Sequence, residues 1–128
     1  MDPAQLARLL DEPPLAVEVF SGWGLRDPAR GHEVLRELAE QALPLDLLAA
    51  LCGHIAQVLP TLRDPDETLA AFGRFLLAAR SPLVLAALCE REPAAVALLL
   101  SALALGRRWR KLLLHDPEAF DLLHQASR

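Results

Sequence analysis

Arg107-Arg108-Trp109-Arg110-Lys111 is the densest run of chemically capable side chains in the sequence. Four cations around an indole could hold phosphate, RNA or an acidic protein through charge and stacking. On a helix, Trp109, Leu112 and Leu113 would form an inward stripe and Arg107, Arg108, Arg110 and Lys111 would project outward. The run therefore reads first as a solvated helix face and second as a partner-contact patch. Cys52-Gly53-His54 resembles half of a metal or thiol site, but no matching second pair completes it, so zinc is not expected. His32, His54, His115 and His124 are dispersed. His54 has no histidine or carboxylate three or four residues on, as a ligand or base pair on a helix would need. Phosphate-cradling glycine motifs and a nucleophile elbow are missing. No residue is assigned a catalytic, cofactor-binding or metal role.

The elements that would carry these residues are helices. The 128 residues are 53% hydrophobic and 23% charged, which excludes a disordered chain and suits a single domain over 1–128. Aromatics are only 5%, with no Tyr, so the core must be mostly Leu and Ala, both strong helix formers. A net charge of −4 argues against a nucleic-acid binder. The longest apolar runs, 94–100 and 83–89, fall well short of the ~20 residues that cross a bilayer. The N-terminal stretch Met1-Asp2-Pro3-Ala4 lacks the basic start of a secretory signal. Cys52 and Cys89 sit in apolar helical patterns and read as reduced core thiols. A cytoplasmic protein is the expectation.

Repeated X-Pro steps punctuate the chain, and most read as helix starts, because proline suits the first helical position and a preceding Asp or Ser can cap it. Asp2-Pro3 opens the first helix, with Gln5 placed for a capping box and Leu6, Leu9 and Leu10 as its apolar face. Residues 14–20 allow either one or two helical turns or a short strand, since Val17 and Val19 alternate. Ser21-Gly22-Trp23-Gly24 reads as a loop with Trp23 lidding the core. Asp27-Pro28 opens a helix to about Gln41, with Val34, Leu35, Leu38 and Ala42 inward. The next runs from about Pro44 to Leu59, and its Gly53 suggests a close helix approach. Asp64-Pro65-Asp66-Glu67 predicts the clearest start, with Asp64 and Glu67 as a capping-box pair.

From Ser81 the chain echoes itself at a spacing of 24. Leu88 falls on Leu112, Pro93 on Pro117, Ala95 on Ala119, Leu98 on Leu122 and Leu99 on Leu123. The spacing predicts helices over 83–89 and 93–105, both apolar nearly all round and so central. Two further helices follow, over 107–114 and 117–125, with Gly106 as a break. The whole is predicted as all-α: an irregular array of seven to nine short helices, the last four forming a degenerate 24-residue helix-pair repeat. N-terminal helices occupy 1–62 and repeat-bearing helices 63–128.

From about Gly24 onward these motifs, taken in order, resemble the N-terminal helical region of the bifunctional glutamine synthetase adenylyltransferase/adenylyl-removing enzymes. Gly24-Leu25-Arg26-Asp27-Pro28 is similar to an early Gly-apolar-x-Asp-Pro helix start. Asp64-Pro65-Asp66-Glu67-Thr68-Leu69 through Arg74-Phe75-Leu76 is similar to the family's Asp-Pro-Asp-x-Ala-Leu…Arg-Phe stretch. Arg91-Glu92-Pro93 with Leu98-Leu99-Leu100, then His115-Asp116-Pro117-Glu118 with Asp121-Leu122-Leu123, match the helix pairs that follow. Gly106-Arg107-Arg108-Trp109 departs from a family Gly-x-Ser at this place.

The resemblance implies a helical region that precedes a nucleotidyltransferase domain working on ATP with Mg²⁺. The Gly-Ser…Asp-x-Asp/Glu constellation that holds the metal has no counterpart here, so no cofactor is expected in this chain. The implied role is a non-catalytic domain, packing in cis or trans against a nucleotidyltransferase domain and helping to position glutamine synthetase in nitrogen-metabolism control. The alternative is a stand-alone helical protein-interaction module. Neither reading calls for nucleic acid or membrane.

Overall fold

The computed structural model describes residues 1–116, apart from the side chains of Arg107 and Trp109. Among these residues it contains eight α-helices and no strand: α1 (Pro3–Asp11), α2 (Pro13–Gly22), α3 (Pro28–Gln41), α4 (Leu45–Val58), α5 (Pro65–Ala78), α6 (Pro82–Arg91), α7 (Pro93–Ala104) and α8 (Arg107–His115). A single 3-10 turn, Leu59–Thr61, follows α4. The all-α expectation is borne out. The predicted last helix, 117–125, lies outside the described residues.

One local device sets most helix boundaries. Glu12, Asp27, Asp64, Ser81, Glu92 and Asp116 each precede a proline, and each sits at φ −121° to −135° and ψ 79° to 90°. The proline ring drives the residue before it out of the helical region: α1, α6 and α8 stop at Glu12, Glu92 and Asp116, and α2, α3, α5, α6 and α7 each start on the proline. Asp2, Asp27, Asp64 and Ser81 add a side-chain acceptor for a first-turn N–H. Asp2 and Gln5 close the expected capping box. The ends of α1, α6 and α8 are alike: Glu92 N–H donates to Leu88 O and Asp116 N–H to Leu112 O, both at 3.0 Å, and Glu12 N–H donates to Arg8 O at 2.9 Å. The rest of the second copy of the 24-residue echo lies outside the described residues.

Residues 13–22 resolve the helix-or-strand ambiguity as helix α2. Pro13 and Pro14 pre-set its first turn, and it buries Ala16 and Phe20, four apart on one face. The helix also takes in Ser21 and Gly22, which the sequence places in a loop. Trp23 lids the core as expected: it is 5% exposed, and its ring packs edge-on to Phe20 with the ring centroids 4.9 Å apart.

Helix α5 lies at the centre, packed on α3, α6, α7 and α8. It buries Leu69, Phe72, Phe75 and Leu76. Helix α7 is also central and buries Val96, Leu99, Leu100 and Leu103. Helix α6 is not. It buries only Ala86 and Cys89, and leaves Leu83 51% and Val84 66% exposed. Its composition is largely apolar, but one face alone packs on α4, α5 and α7, with Leu85 partly covered, so the expectation of a fully covered helix fails.

Helices α3 and α5 run side by side in the same direction, with Arg30 opposite Glu67 and Val34 opposite Gly73. Gly73 permits their approach, and Gly31 makes room for Leu25 from the connection before α3. A Cβ on Gly73 would stand 2.8 Å from Val34 Cγ1, and one on Gly31 would stand 2.6 Å from Leu25 Cδ1. Gly53, the glycine that the sequence reading selects for a close approach, has open space where its Cβ would be.

Candidate functional site

Helix α8 starts without the X-Pro step and side-chain cap that open α1, α3, α5 and α6. Its N-cap, Gly106, has φ +139° and offers no side-chain acceptor, and the first turn has no acid. Cations fill that turn instead, at the end of the helix dipole where positive charge is unfavourable by roughly 0.3–1 kcal/mol each. Capping chemistry therefore does not account for the basic run as it accounts for the Asp-Pro starts.

The predicted patch divides in the structure. Arg108 and Lys111 are exposed, as expected. Arg110 is half-buried, and its charge reaches Glu67 at the start of α5. The side chains of Arg107 and Trp109 lie outside the described residues, and with them the expected inward role of Trp109. Leu113 is inward at 2% exposure, but Leu112 is 52% exposed, which corrects the expected stripe. At about 100° per residue, Arg108, Lys111, Leu112 and His115 fall on one outward strip of α8 at i, i+3, i+4 and i+7. All four are exposed. Packing of α8 on α5 and α7 through Leu113 sets this rotation.

Charge and cap chemistry concentrate where α3 packs on the start of α5. The Asp66 carboxylate accepts Arg26 N–H at 2.8 Å and Asp27 N–H at 2.9 Å, tying the start of α5 to the entry of α3. The Glu67 side chain accepts a hydrogen bond from Arg30 at 2.9 Å. Asp64 caps Glu67 N–H at 3.3 Å, but Glu67 is turned toward Arg30 and does not complete the predicted capping box. The Arg30 hydrogen bond, with the charges of Arg30, Arg110 and Arg74, holds the Glu67 carboxyl below its ordinary range against the opposing effect of partial burial. Beside this joint, a shallow groove of about 350 Å³ runs between α3 and α5, with Arg30, Glu37 and Arg74 at its edges and Ala70 and Gly73 beneath.

The remaining chemically capable residues are built into the packing. Cys52 and Cys89 are buried free thiols, pushed up to about 12 and about 11 by burial, and so stay protonated at neutral pH. His32 Nε2–H donates to the Leu10 carbonyl at 2.8 Å and ties α3 to α1. His54 is half-buried on α4. No group of three or more His, Cys, Asp or Glu among the described residues is arranged to hold a metal ion. The Thr68 hydroxyl is fully buried and has no hydrogen-bond partner among the described residues. Nothing in the spacing of α5 marks it. No helix among the described residues is long and apolar enough to cross a membrane.

No protein-family model, curated protein or solved structure matches this chain.

Proposed function

We propose that the chain is a non-catalytic helical packing domain of a glutamine synthetase adenylyltransferase-like protein, acting in the cytoplasm beside a nucleotidyltransferase domain. The observation that carries this reading is the joint at Asp66. The resemblance rests most heavily on Gly24-Leu25-Arg26-Asp27-Pro28 and on Asp64-Pro65-Asp66-Glu67, two stretches about forty residues apart. In the fold they meet: Asp66 of the second receives the Arg26 and Asp27 N–H groups of the first, and Arg30 pairs with Glu67. Motif residues that join helices to each other support a scaffold whose sequence signature is architectural. On this reading ATP and Mg²⁺ belong to the neighbouring domain, and the chain contributes surface. The test is the affinity of the 128-residue chain for an isolated nucleotidyltransferase domain of the family and for glutamine synthetase, measured by biolayer interferometry. Saturable binding to either supports the reading. Binding to neither, with the chain folded by circular dichroism, removes it.

The second reading, a stand-alone interaction module, draws on the exposed Leu83 and Val84 of α6, apolar side chains that another surface could cover. Self-association of the chain that disappears in a Leu83→Ser/Val84→Ser variant would favour it.

A further inference from the structure

We infer that the outward strip of α8, formed by Arg108, Lys111, Leu112 and His115, is a docking surface for an acidic protein segment carrying an apolar anchor. The inference rests on the packing-domain reading only in that the chain works by offering surface. It commits to one place and one partner chemistry.

Three observations converge on this strip. Its four residues are all exposed and lie one or two turns apart on a single helix face. Two fixed cations and an imidazole surround Leu112, which shows half of its surface to solvent. This arrangement suits carboxylates around a central apolar contact, the usual anatomy of a hot spot with a charged rim. Arg108 also lies in the first turn of α8, at the end of the helix dipole where a cation is unfavourable, so helix formation does not account for its presence there.

The competing polyanions fit less well. Nucleic acid would meet a chain of net charge −4 and has no use for an exposed Leu at the centre of the face. A membrane surface asks for a broad apolar face. Helix α8 is nine residues long, and its outward strip carries a single apolar side chain, Leu112. An acidic protein segment uses both the charge and the Leu. Arg110 is left out of the surface, because it is half-buried.

The test uses the full chain and a fluorescein-labelled amphipathic peptide of about four helical turns, with Glu at i, i+3, i+4 and i+7 around a central Leu. Binding is read by anisotropy. The expected result is saturable binding that weakens as salt rises from about 50 to about 300 mM. Arg108→Glu/Lys111→Glu should weaken it at least about tenfold, since two favourable charge contacts become repulsive. Leu112→Ser should weaken it about fivefold with an unchanged salt slope. The milder Lys111→Gln, which preserves the helix, should give about a threefold loss and keeps the test valid if the double variant misfolds. A peptide with Gln in place of Glu should bind at least about tenfold more weakly. Duplex DNA and phosphatidylcholine/phosphatidylglycerol vesicles are run in parallel. The proposal is overturned if the variants bind the acidic peptide like the parent chain, if DNA or vesicles bind and the peptide does not, or if the strip is occupied by a second copy, seen as a dimer that Arg108→Glu/Lys111→Glu makes monomeric. Binding to a nucleotidyltransferase domain or glutamine synthetase that survives all these variants would sink this surface and leave the packing-domain reading intact. Loss of that binding in the chain itself, with the peptide still bound, would do the reverse.

Discussion

Removing the Asp66 carboxylate should destabilise the fold more than removing the conventional N-cap two residues earlier. Asp66 accepts two backbone N–H groups, from Arg26 and Asp27, at 2.8 and 2.9 Å. A hydrogen bond to a charged group contributes roughly 1.5–3 kcal/mol, and partial exposure here favours the lower end. Asp66 also lies in the first turn of α5, where a negative charge adds roughly 0.3–1 kcal/mol. Asp66→Ala should therefore cost about 3 kcal/mol, a large share of the ~5–15 kcal/mol by which a domain is stable. With an m value near 2 kcal/mol/M, the urea midpoint should fall by about 1.5 M. Asp64→Ala removes one 3.3 Å capping bond and should cost only about 1 kcal/mol. Asp66→Asn should fall between the two, because its carbonyl keeps one N–H while its NH₂ faces the other. The assay is urea unfolding followed by circular dichroism. An Asp66→Ala cost below about 0.5 kcal/mol, or below that of Asp64→Ala, would refute the claim that this side chain joins the two motif stretches.

The Glu67 carboxyl is held low, so its contribution to stability is present above the unfolded carboxylate pKa and is lost as pH falls through the lower folded value. The stability difference between the parent chain and Glu67→Gln should accordingly be widest at neutral pH and close below about pH 4, as thermal melts across pH would show. Thr68→Val replaces a buried, unpartnered hydroxyl with a methyl of similar shape and should raise stability by about 1 kcal/mol, or roughly 3 °C in melting temperature. A decrease would mean that the hydroxyl has a partner. Gly73→Ala should destabilise by about 1–3 kcal/mol through the Val34 clash, whereas Gly53→Ala should stabilise by about 0.5–1 kcal/mol, and calorimetry showing the same sign for both would contradict the α3–α5 packing.

What was legible in the sequence is what is local. Asp-Pro and Ser-Pro starts and the Asp2–Gln5 box depend on neighbours within a few residues, and they appear in the backbone where expected. What was hidden depends on residues far along the chain. Glu67 has the right type and position for a capping box, yet Arg30, 37 residues away, takes its side chain. Gly53 and Gly73 look alike in sequence, and only the register of α3 against α5 separates them. The rotation of α8 is not encoded locally, because Leu112 and Leu113 are equal candidates for the core until contact with α5 and α7 chooses Leu113. That same rotation moves Arg110 out of the expected patch and brings Leu112 and His115 into it. The all-apolar composition of α6 shows what could be buried, and the shape of its neighbours decides what is.

The most direct test of the packing-domain reading is an interferometry titration of the intact chain against an immobilised nucleotidyltransferase domain of the adenylyltransferase family, with glutamine synthetase on a second sensor. The account predicts saturable binding to at least one of them. It also predicts no adenylyl transfer to glutamine synthetase when the chain alone is supplied with ATP and Mg²⁺. A folded chain that ignores both surfaces, or one that carries out the transfer unaided, would contradict it.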